Sequence, residues 1–487
     1  MTEKFVKEET LDPEDWGEVR EIGHRMMDDV LNDLSTIRSR PVWKRIPAAA
    51  KEALNAPVPR EGQSLASVYE EFRENVEPYA LGNRHPSFWG WVIGSGTPTG
   101  VLGDMLASAM NTNASGFEQS SAYVEAQLIN WFKSLFGFPE EATGILVSSG
   151  SAGNLTSLTV ARDAMLPDAV NDGLFSAGVR ACVYASNEVH NSVDKAIGVL
   201  GLGRSSLRRI RTKDDFTIDL DALREAIAKD KRDGATPICI VGTAGTVATG
   251  AIDDLFALAD IAQENGMWYH VDGAFGAIAA LSETLRPRLK GIERADSLAF
   301  DLHKWLYVNF DAGCVLVRRP DAQLDSFSIP ASYLSTLKGG VATGPHRYGE
   351  MGVDLSRGFR ALKAWMSFKT YGFDKYARLV DQNVAQAKYL AELVEAHDEL
   401  ELVAPVPLNV VCFRYVKQGV SAAALDELNE RILVQLQEDG LAVPSGVRIR
   451  GKFALRVANV NHRSRREDFS ALVENTVRLG RSMSPLL

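Results

Sequence analysis

A lysine lies inside a largely apolar stretch of the sequence. Lys304 follows the stretch SLAFDLH (297–303) and precedes the stretch WLYV (305–308). Lysine is rarely fully buried unless its charge is paired or its amine is used. The stem could lie along the core while the ammonium reaches water. Alternatively, the amine could act as a nucleophile in a dry cleft.

A possible phosphate site follows another apolar run, ILV. Gly150 and Ser151, in SSGSAGN (148–154), stand where a strand is predicted to turn into a helix. The glycine lets the backbone approach a ligand, Ser151 offers a hydroxyl and an amide, and the helix presents its positive end, which favours phosphate. The stretch has neither the GK[ST] ending of a P-loop nor a GxGxxG pattern. By itself it is therefore equally compatible with an ordinary turn.

Two more apolar runs lead to residues that could serve a flat ligand. Asp272 ends the run MWYHVD, and the small residues Gly273 and Ala274 behind it leave room for a ring. A buried carboxylate needs a partner, although a role as a helix cap would also satisfy this aspartate. His190 follows the run ACVYAS, and a single histidine in such a place is more often structural than catalytic.

The elements around these residues predict how they come together. Between about residues 120 and 320, helical segments separate short apolar runs, which is typical of a mainly parallel sheet with helices on both faces. Ligands of such sheets bind at the carboxyl ends of the strands, where all four segments lie. The predicted strands are GILVSS, ACVYAS, ICIVGTAG, MWYHVD, SLAFD and AGCVLVRR.

The flanking segments predict an arm and a second domain. We expect an N-terminal helical arm over residues 1–85, a large α/β domain over 86–372 and a small α+β domain over 373–487. Asp12 suits the cap of a first helix. A long helix, RGFRALKAWMSFKTYG, is predicted over 357–372 and leads out of the large domain.

One ligand would use all four sets of residues. A flat ring that carries a phosphate, an aldehyde and a ring nitrogen needs a phosphate cradle, an amine that forms a Schiff base, and a carboxylate that keeps the nitrogen protonated. Pyridoxal 5′-phosphate (PLP) is such a ligand. The cradle, Asp272 and Lys304 follow one another in this order along the chain.

Composition narrows the class of protein. The formal net charge of −10 argues against non-specific binding of nucleic acid, and we expect the basic stretch GRSSLRRIRTK (203–213) to be a solvated strand and turn. No apolar run is long enough for a membrane span, and the charged start does not look like a secretory signal. The widely spaced cysteines and histidines predict reduced thiols and no protein-built metal site. We therefore expect a cytoplasmic protein that binds neither nucleic acid nor membranes.

The sequence resembles the group II PLP-dependent amino-acid decarboxylases, which include aromatic-amino-acid, glutamate, histidine and cysteine-sulfinate decarboxylases. The resemblance covers nearly the whole chain and implies the type I aminotransferase fold, with PLP as the cofactor and an amino acid as the substrate. It also implies a homodimer with its active site at the subunit interface, in which the arm clasps the partner. The matching segments are HPSFWGW (85–91), NTN (111–113), SSGSAGN (148–154), YASNEVHNSVDKA (184–196), TAGTV (243–247), HVDGAFG (270–276), ADSLAFDLHKWLYVNFDAG (295–313), SYL (332–334), RGFRALKAWMSFKTYG (357–372) and KFALRVA (452–458).

The resemblance implies roles for individual residues. Lys304 would form the internal aldimine, Asp272 would hold the proton on the ring nitrogen, and His190 would stack on the ring. Tyr333 matches a loop tyrosine that protonates the α-carbon, and relatives with phenylalanine there form aldehydes instead. The remaining matches are the phosphate contacts Gly150, Ser151 and His303, with Ser297 and Asp301 as weaker candidates, the ring contacts Ala274 and Thr246, and the substrate contacts Trp91, Ile93, Asn111, Asn113 and Arg456.

The sequence leaves the substrate open between aromatic and acidic amino acids. Trp91 favours an aromatic wall, whereas SSGSAGN, and NTN followed by Glu118, are closer to glutamate-type relatives. The predicted reaction is α-decarboxylation of an L-amino acid to an amine and carbon dioxide. The alternatives are other PLP reactions on the same fold, by an aminotransferase, an aldehyde synthase or a carbon–carbon lyase, and a cofactor-binding protein that has lost catalysis.

Overall fold

The computed structural model describes residues 9–329 and 339–484. Its α-helices are α1 (Trp16–Thr36), α2 (Ala48–Ala53), α3 (Leu65–Asn75), α4 (Pro98–Met110), α5 (Ser120–Phe136), α6 (Gly150–Met165), α7 (Asp168–Ala177), α8 (Asn191–Val199), α9 (Leu220–Arg232), α10 (Leu255–Asn265), α11 (Pro320–Phe327), α12 (Ala361–Tyr371), α13 (Phe373–Glu395), α14 (Ala422–Glu438) and α15 (Arg466–Met483). Its strands are β1 (Thr143–Val147), β2 (Ala181–Ser186), β3 (Leu207–Ile210), β4 (Thr236–Thr243), β5 (Trp268–Asp272), β6 (Ser297–Asp301), β7 (Gly313–Val317), β8 (Leu400–Leu402), β9 (Val410–Tyr415), β10 (Ser445–Ile449) and β11 (Lys452–Ala458).

The large sheet has the strand order β1-β7-β6-β5-β4-β2-β3. Five adjacent strands, β6, β5, β4, β2 and β3, pair in parallel. Strand β7 runs antiparallel to both of its neighbours, β1 and β6. Neighbouring residues of β4 enter different hydrophobic clusters, Ile240 on one face and Val241 on the other. Because both faces are covered, the strands are apolar along their length. The predicted mainly parallel sheet and its six predicted strands are confirmed.

The remaining strand of the large sheet, β3, lies within the basic stretch 203–213. Three of the four arginines of this stretch form ion pairs with acidic side chains. The ion pairs are Arg208–Asp230, Arg209–Asp194 and Arg211–Asp219. The interpretation of this stretch as a strand and turn is therefore confirmed.

A second, antiparallel sheet has the order β10-β11-β9-β8. Helices α13, α14 and α15 pack with this sheet around a separate hydrophobic cluster. This is the small α+β unit that the sequence predicts. The domain boundaries at 85 and 372 stay a prediction.

Helix α1 begins within the predicted stretch LDPEDW (11–16), but its cap is Asp15 and not Asp12, and α12 begins later than predicted. The carboxylate of Asp15 accepts the backbone N–H of Gly17, so the helix begins at Trp16. Helix α12 begins at Ala361 rather than at Arg357. The backbone of Arg357 is held instead by the loop before α5: its N–H donates to Asn113 Oδ1 over 2.9 Å, and its carbonyl accepts the N–H of Ala114 over 2.8 Å.

The side chain of Arg357 fixes the end of β1, from which the predicted phosphate segment leaves. Its Nη2 lies 2.6 Å from Glu125 Oε1 and 2.7 Å from the carbonyl oxygen of Leu146, and both side chains of the ion pair are 2% exposed. Its Nη1 donates to the carbonyl of Ala114 over 2.7 Å. Two buried charges are thus matched to each other and to backbone groups.

We predict that Arg357→Met lowers the free energy of unfolding by about 3–5 kcal/mol, because it leaves the buried carboxylate of Glu125 without its cation. The control is Arg224→Met, which breaks an exposed ion pair with Glu264 and should cost no more than about 1 kcal/mol. Urea unfolding of both variants, followed by circular dichroism, measures the difference. Equal losses in the two variants would contradict a special role for the buried pair.

Candidate active site

The carboxyl ends of three adjacent parallel strands bring the predicted site residues together. Thr243 at the end of β4 pairs with Asp272 at the end of β5, and Asp272 pairs with Ala299 of β6. Strand β6 ends at Asp301, and Lys304 follows in the next turn. The sheet therefore places the aspartate and the lysine, far apart along the chain, on neighbouring strand ends.

The amine of Lys304 is paired with a buried carboxylate. Its Nζ lies 2.8 Å from Asp301 Oδ2, and the lysine side chain is 18% exposed. The other oxygen of this carboxylate, Oδ1, is buried and has no hydrogen-bond partner among the described residues. Lys304 is therefore not a lysine whose ammonium simply reaches bulk water, and an incoming polar group could still bind to Asp301.

His303 lies near the same carboxylate oxygen as Lys304. Its Nε2 is 3.8 Å from Asp301 Oδ2, and its Nδ1 accepts the backbone N–H of Ala312 over 3.1 Å. Because Nδ1 accepts, the neutral ring carries its proton on Nε2. Burial lowers the pKa of His303, which favours this neutral form.

The carboxylate of Asp272 is held by two N–H donors. Asn154 Nδ2 donates to Oδ2 over 2.9 Å, and the backbone N–H of Ala274 donates to Oδ1 over 3.1 Å. The side chain of this aspartate is buried. Each oxygen keeps a further lone pair, so the carboxylate can still accept a proton-bearing ring nitrogen.

His190 caps helix α8 and is fixed by Ser192. Its Nδ1 lies 2.7 Å from Ser192 Oγ and accepts the backbone N–H of Ser192 over 3.2 Å. This backbone donor leaves the ring proton on Nε2. Burial lowers the pKa of His190, although Asp272 opposes this shift by its charge.

The start of helix α6 forms a cradle against these residues. Ser149 caps the helix, and a Cβ on Gly150 would lie 2.8 Å from Asp301 Oδ2 and 3.5 Å from Ala274 Cβ. The first turn of α6 therefore touches both Ala274 and the partner of Lys304. Four groups therefore lie side by side: the start of α6, the amine of Lys304, the carboxylate of Asp272 with its free lone pairs, and the unpaired oxygen of Asp301. This set of groups fits PLP.

The turn that follows Lys304 packs tightly on the segment that carries Trp91 and Ile93. A Cβ on Gly94 would overlap the carbonyl oxygens of His303 and Lys304. Trp91 has a left-handed backbone, with φ of 54°, and its side chain is exposed. These two predicted substrate contacts therefore lie on a segment that touches the lysine turn.

Arg456 reaches from β11 towards the loop after β4. Its Nη1 donates to the carbonyl of Val247 over 2.7 Å and its Nε to Ser445 Oγ over 3.1 Å. Burial lowers the pKa of its guanidinium. No acidic side chain of the described ranges forms an ion pair with this guanidinium.

Other predicted site residues make contacts elsewhere. Thr246 Oγ1 lies 2.9 Å from Thr249 Oγ1 and accepts the N–H of Ala251, so its hydroxyl serves its own turn. Asn111 and Asn113 are exposed, and Asn113 Oδ1 accepts the N–H of Arg357. Within the described ranges, no hydrogen bond joins these two asparagines to the lysine turn.

One predicted phosphate contact was wrong, and another predicted residue lies outside the described part of the chain. Ser297 stands at the amino end of β6, and its hydroxyl is engaged by Trp268 Nε1 and His270 Nδ1, each over 2.9 Å. Asp301, at the carboxyl end, remains a candidate. Tyr333 falls outside the described residues.

Sequence reasoning missed Asn154, Ser192 and His270, which lie behind Asp272 and His190. Asn154 follows the start of α6 by one helical turn, so its side chain returns to the cradle. The helix face that carries Asn154 is of mixed polarity, so the sequence offered no clear signal for it. Its partners could not be read, because they belong to other strands and helices.

Two other features are absent from residues 9–329 and 339–484. No cluster of three or more histidine, cysteine or acidic side chains there has the geometry of a metal site. None of the helices in these ranges is long and apolar enough to cross a membrane.

Comparison with known proteins shows the family. The model of the pyridoxal-dependent decarboxylase conserved domain matches residues 47–416. The chain is 33% identical to the aromatic-L-amino-acid decarboxylase of Bacillus atrophaeus over 475 residues, which cover 96% of each chain. It is 28% identical to a phenylacetaldehyde synthase of Arabidopsis thaliana over 92% of this chain and 93% of the relative.

A solved structure agrees over the whole fold. The TDC of Oryza sativa, solved with PLP and tryptamine, superimposes with a TM-score of 0.89 at 27% identity, over 97% of this chain and 100% of the other. The expected α/β fold and the expected cofactor are confirmed by these matches. The chain belongs to the pyridoxal-dependent decarboxylase family, whose members use PLP to act on amino acids.

Proposed function

We propose that this protein converts an aromatic L-amino acid into the corresponding amine and carbon dioxide. The observation that carries the proposal is the group of Lys304, Asp272 and His190 at one sheet edge, with the lysine amine paired to Asp301. The aromatic class is supported by Trp91 on the segment against the lysine turn. It is also supported by the relative named as an aromatic-L-amino-acid decarboxylase and by the solved relative that holds tryptamine.

The chemistry of the side chains assigns each of them to a part of the cofactor. The first turn of α6, with Ser151, and His303 would hold the phosphate, and Lys304 would bind the aldehyde carbon. Asp272 would face the ring nitrogen, with Ala274 and His190 on the two faces of the ring. When bound, PLP supplies the electron sink for the pair left behind by the departing carboxylate.

Three proton positions follow from the side chains alone. Asp301 Oδ2, 2.8 Å from Lys304 Nζ, is placed to take the proton that the ammonium must lose before it becomes a nucleophile. Asp272 favours a proton on a ring nitrogen because the opposite charge is stabilised in a dry site. His190 keeps its proton on Nε2 and can donate it to a substrate carboxylate. Arg456 offers a second donor for a carboxylate.

The test is a product assay with the purified protein. We expect amine from tryptophan, tyrosine or phenylalanine and none above background from glutamate or aspartate. Lys304→Ala should abolish amine formation and the yellow colour of the PLP-loaded protein, because no amine remains to bind the aldehyde. Lys369→Ala, which alters a lysine that lies over the ring of Trp365, is the matched control and should change neither. Keto acid without amine, or amine from acidic substrates alone, would overturn the proposal.

Tyr333 would decide between amine and aldehyde. By the resemblance, a tyrosine here returns a proton to the α-carbon, so the chain should form amine rather than the aldehyde that the synthase relatives are named for. We predict that Tyr333→Phe keeps carbon dioxide release but shifts the product towards aldehyde. Chromatography of both products from one reaction measures the ratio, and an unchanged ratio would remove Tyr333 from this role.

We also propose that two copies associate over the active-site face. The apolar side chains Met105, Leu106 and Met110 of α4 are exposed, which is unusual for so short a segment of a monomer. Phe310 is 51% exposed, and its ring lies 4.2 Å from that of His303. The exposed ring of Phe310 therefore lies against His303, the proposed phosphate contact.

We predict that the purified protein sediments at twice the chain mass of 53.2 kDa and that Leu106→Glu shifts it to the monomer. The shift is expected because a charge cannot be buried in an apolar contact without a partner. Val434→Glu, at an exposed position on α14, is the control and should leave the mass unchanged. A wild-type monomer, or a Leu106→Glu dimer, would refute the interface.

A further inference from the structure

A continuous chain of buried hydrogen bonds runs behind the active site. Trp268 Nε1 donates to Ser297 Oγ over 2.9 Å, and Ser297 Oγ lies 2.9 Å from His270 Nδ1. His270 Nε2 lies 3.0 Å from Asn154 Oδ1. At Asn154 Nδ2 this series of hydrogen bonds divides into two branches. One leads to Asp272 Oδ2 over 2.9 Å, and the other leads to Ser192 Oγ over 2.8 Å. All of these side chains are buried.

The carboxylate of Asp272 fixes the direction of one branch. An ionised carboxylate can only accept, so the amide of Asn154 must turn its NH₂ towards Asp272 and its oxygen towards His270. His270 consequently donates from Nε2, and its Nδ1 accepts the hydroxyl proton of Ser297. Burial lowers the pKa of His270 to about 4, so the ring is neutral and has a single proton to place.

The second N–H of Asn154 fixes the other branch. Ser192 Oγ accepts this N–H, so its own proton points to His190 Nδ1, 2.7 Å away. The backbone N–H of Ser192 also points to that nitrogen. Both donors leave the proton of His190 on Nε2. The amide of Asn154 thus contacts Asp272 directly. It contacts His190 through the hydroxyl of Ser192.

We infer that Asn154 is a positioning residue that couples Asp272 to His190, so that one side-chain amide sets both the donor supply of the carboxylate and the hydrogen bond at His190 Nδ1. The inference rests on the proposed function for the roles of these two residues. Asn154 itself is 1% exposed, and its side-chain amide bonds to Asp272, Ser192 and His270 rather than to the lysine turn. It therefore acts through its neighbours.

Asn154→Asp is the sharpest variant, because it keeps the shape and removes both N–H donors. The introduced carboxylate and that of Asp272 would share a proton, as close carboxylates do. The hydroxyl of Ser192 would turn to the introduced carboxylate, which leaves His190 Nδ1 with the backbone donor alone. Two different properties, the affinity for PLP and the environment of His190 Nδ1, should therefore change together.

One variant separates the branches, and a second is a control that lies on neither of them. Ser192→Ala removes the hydroxyl on the His190 branch and leaves the contact from Asn154 to Asp272 in place. Ser157→Ala, on the same helix as Asn154, removes a buried hydroxyl that has no hydrogen-bond partner among the described residues, and serves as the control. All three variants are checked for folding by circular dichroism before use.

The experiment measures PLP binding and the ¹⁵N shifts of the histidine rings in the full-length chain, before and after PLP is added. His190→Gln identifies the His190 signals. We expect Asn154→Asp to weaken PLP binding by about 10- to 100-fold, the loss typical of a hydrogen bond to a charged group, and to shift the signal of His190 Nδ1. Ser192→Ala should give the same direction of shift with PLP binding within about twofold of wild type. Ser157→Ala should change neither.

The coupling is overturned if folded Asn154→Asp leaves either property at the wild-type value. It is equally overturned if Ser192→Ala weakens PLP binding as much as Asn154→Asp does, since the branches would then not be separate. Neither measurement uses a substrate. A chain that shows both effects but forms no aromatic amine would refute the proposed function and leave the coupling intact.

Discussion

Every charge in the buried edge of the large sheet needs a partner, and this constraint organises the site. The ammonium of Lys304 lies against Asp301, and the carboxylate of Asp272 takes N–H groups from Asn154 and Ala274. An ion left unpaired in a dry interior costs several kcal/mol, so the packed sheet edge is stable only with these partners. The same arrangement that permits folding leaves one amine and two carboxylates ready for a ligand.

The smaller sheet takes part in the site as well. Arg456 leaves β11 and binds the carbonyl of Val247, in the loop after β4. Trp89 donates to Ser464 Oγ over 3.0 Å and packs in the cluster of the C-terminal unit. The segment that carries Trp91 therefore has the lysine turn on one side and the smaller sheet on the other. Any shift between the two sheets would move this wall of the cleft.

The sequence predicted the strands of the large sheet well, because buried parallel strands are short apolar runs with a polar residue at the end. Lys304, Asp272 and His190 could be selected for the same reason. The cap of the first helix and the start of the helix near residue 357 were misjudged, since side-chain and backbone contacts decide where each helix begins. Ser297 was misplaced because strand polarity, rather than residue type, decides which end faces the ligand. Asn154 was missed because its role depends on its hydrogen-bond partners, which come close to it only in the folded structure.

Gly94 carries a consequence for how this active site could diversify. Its hydrogen atom faces two carbonyl groups of the lysine turn, where any side chain would collide with backbone. Backbone cannot rotate aside as a flexible side chain can, so position 94 is closed to every other amino acid as long as this turn is kept. Trp91 lies just before this fixed point with its side chain exposed and free to vary, whereas Ile93 packs on the cluster of Val42, Phe88 and Val443. New substrate ranges would therefore be reached by changing side chains beside an immovable backbone contact, with the catalytic amine undisturbed.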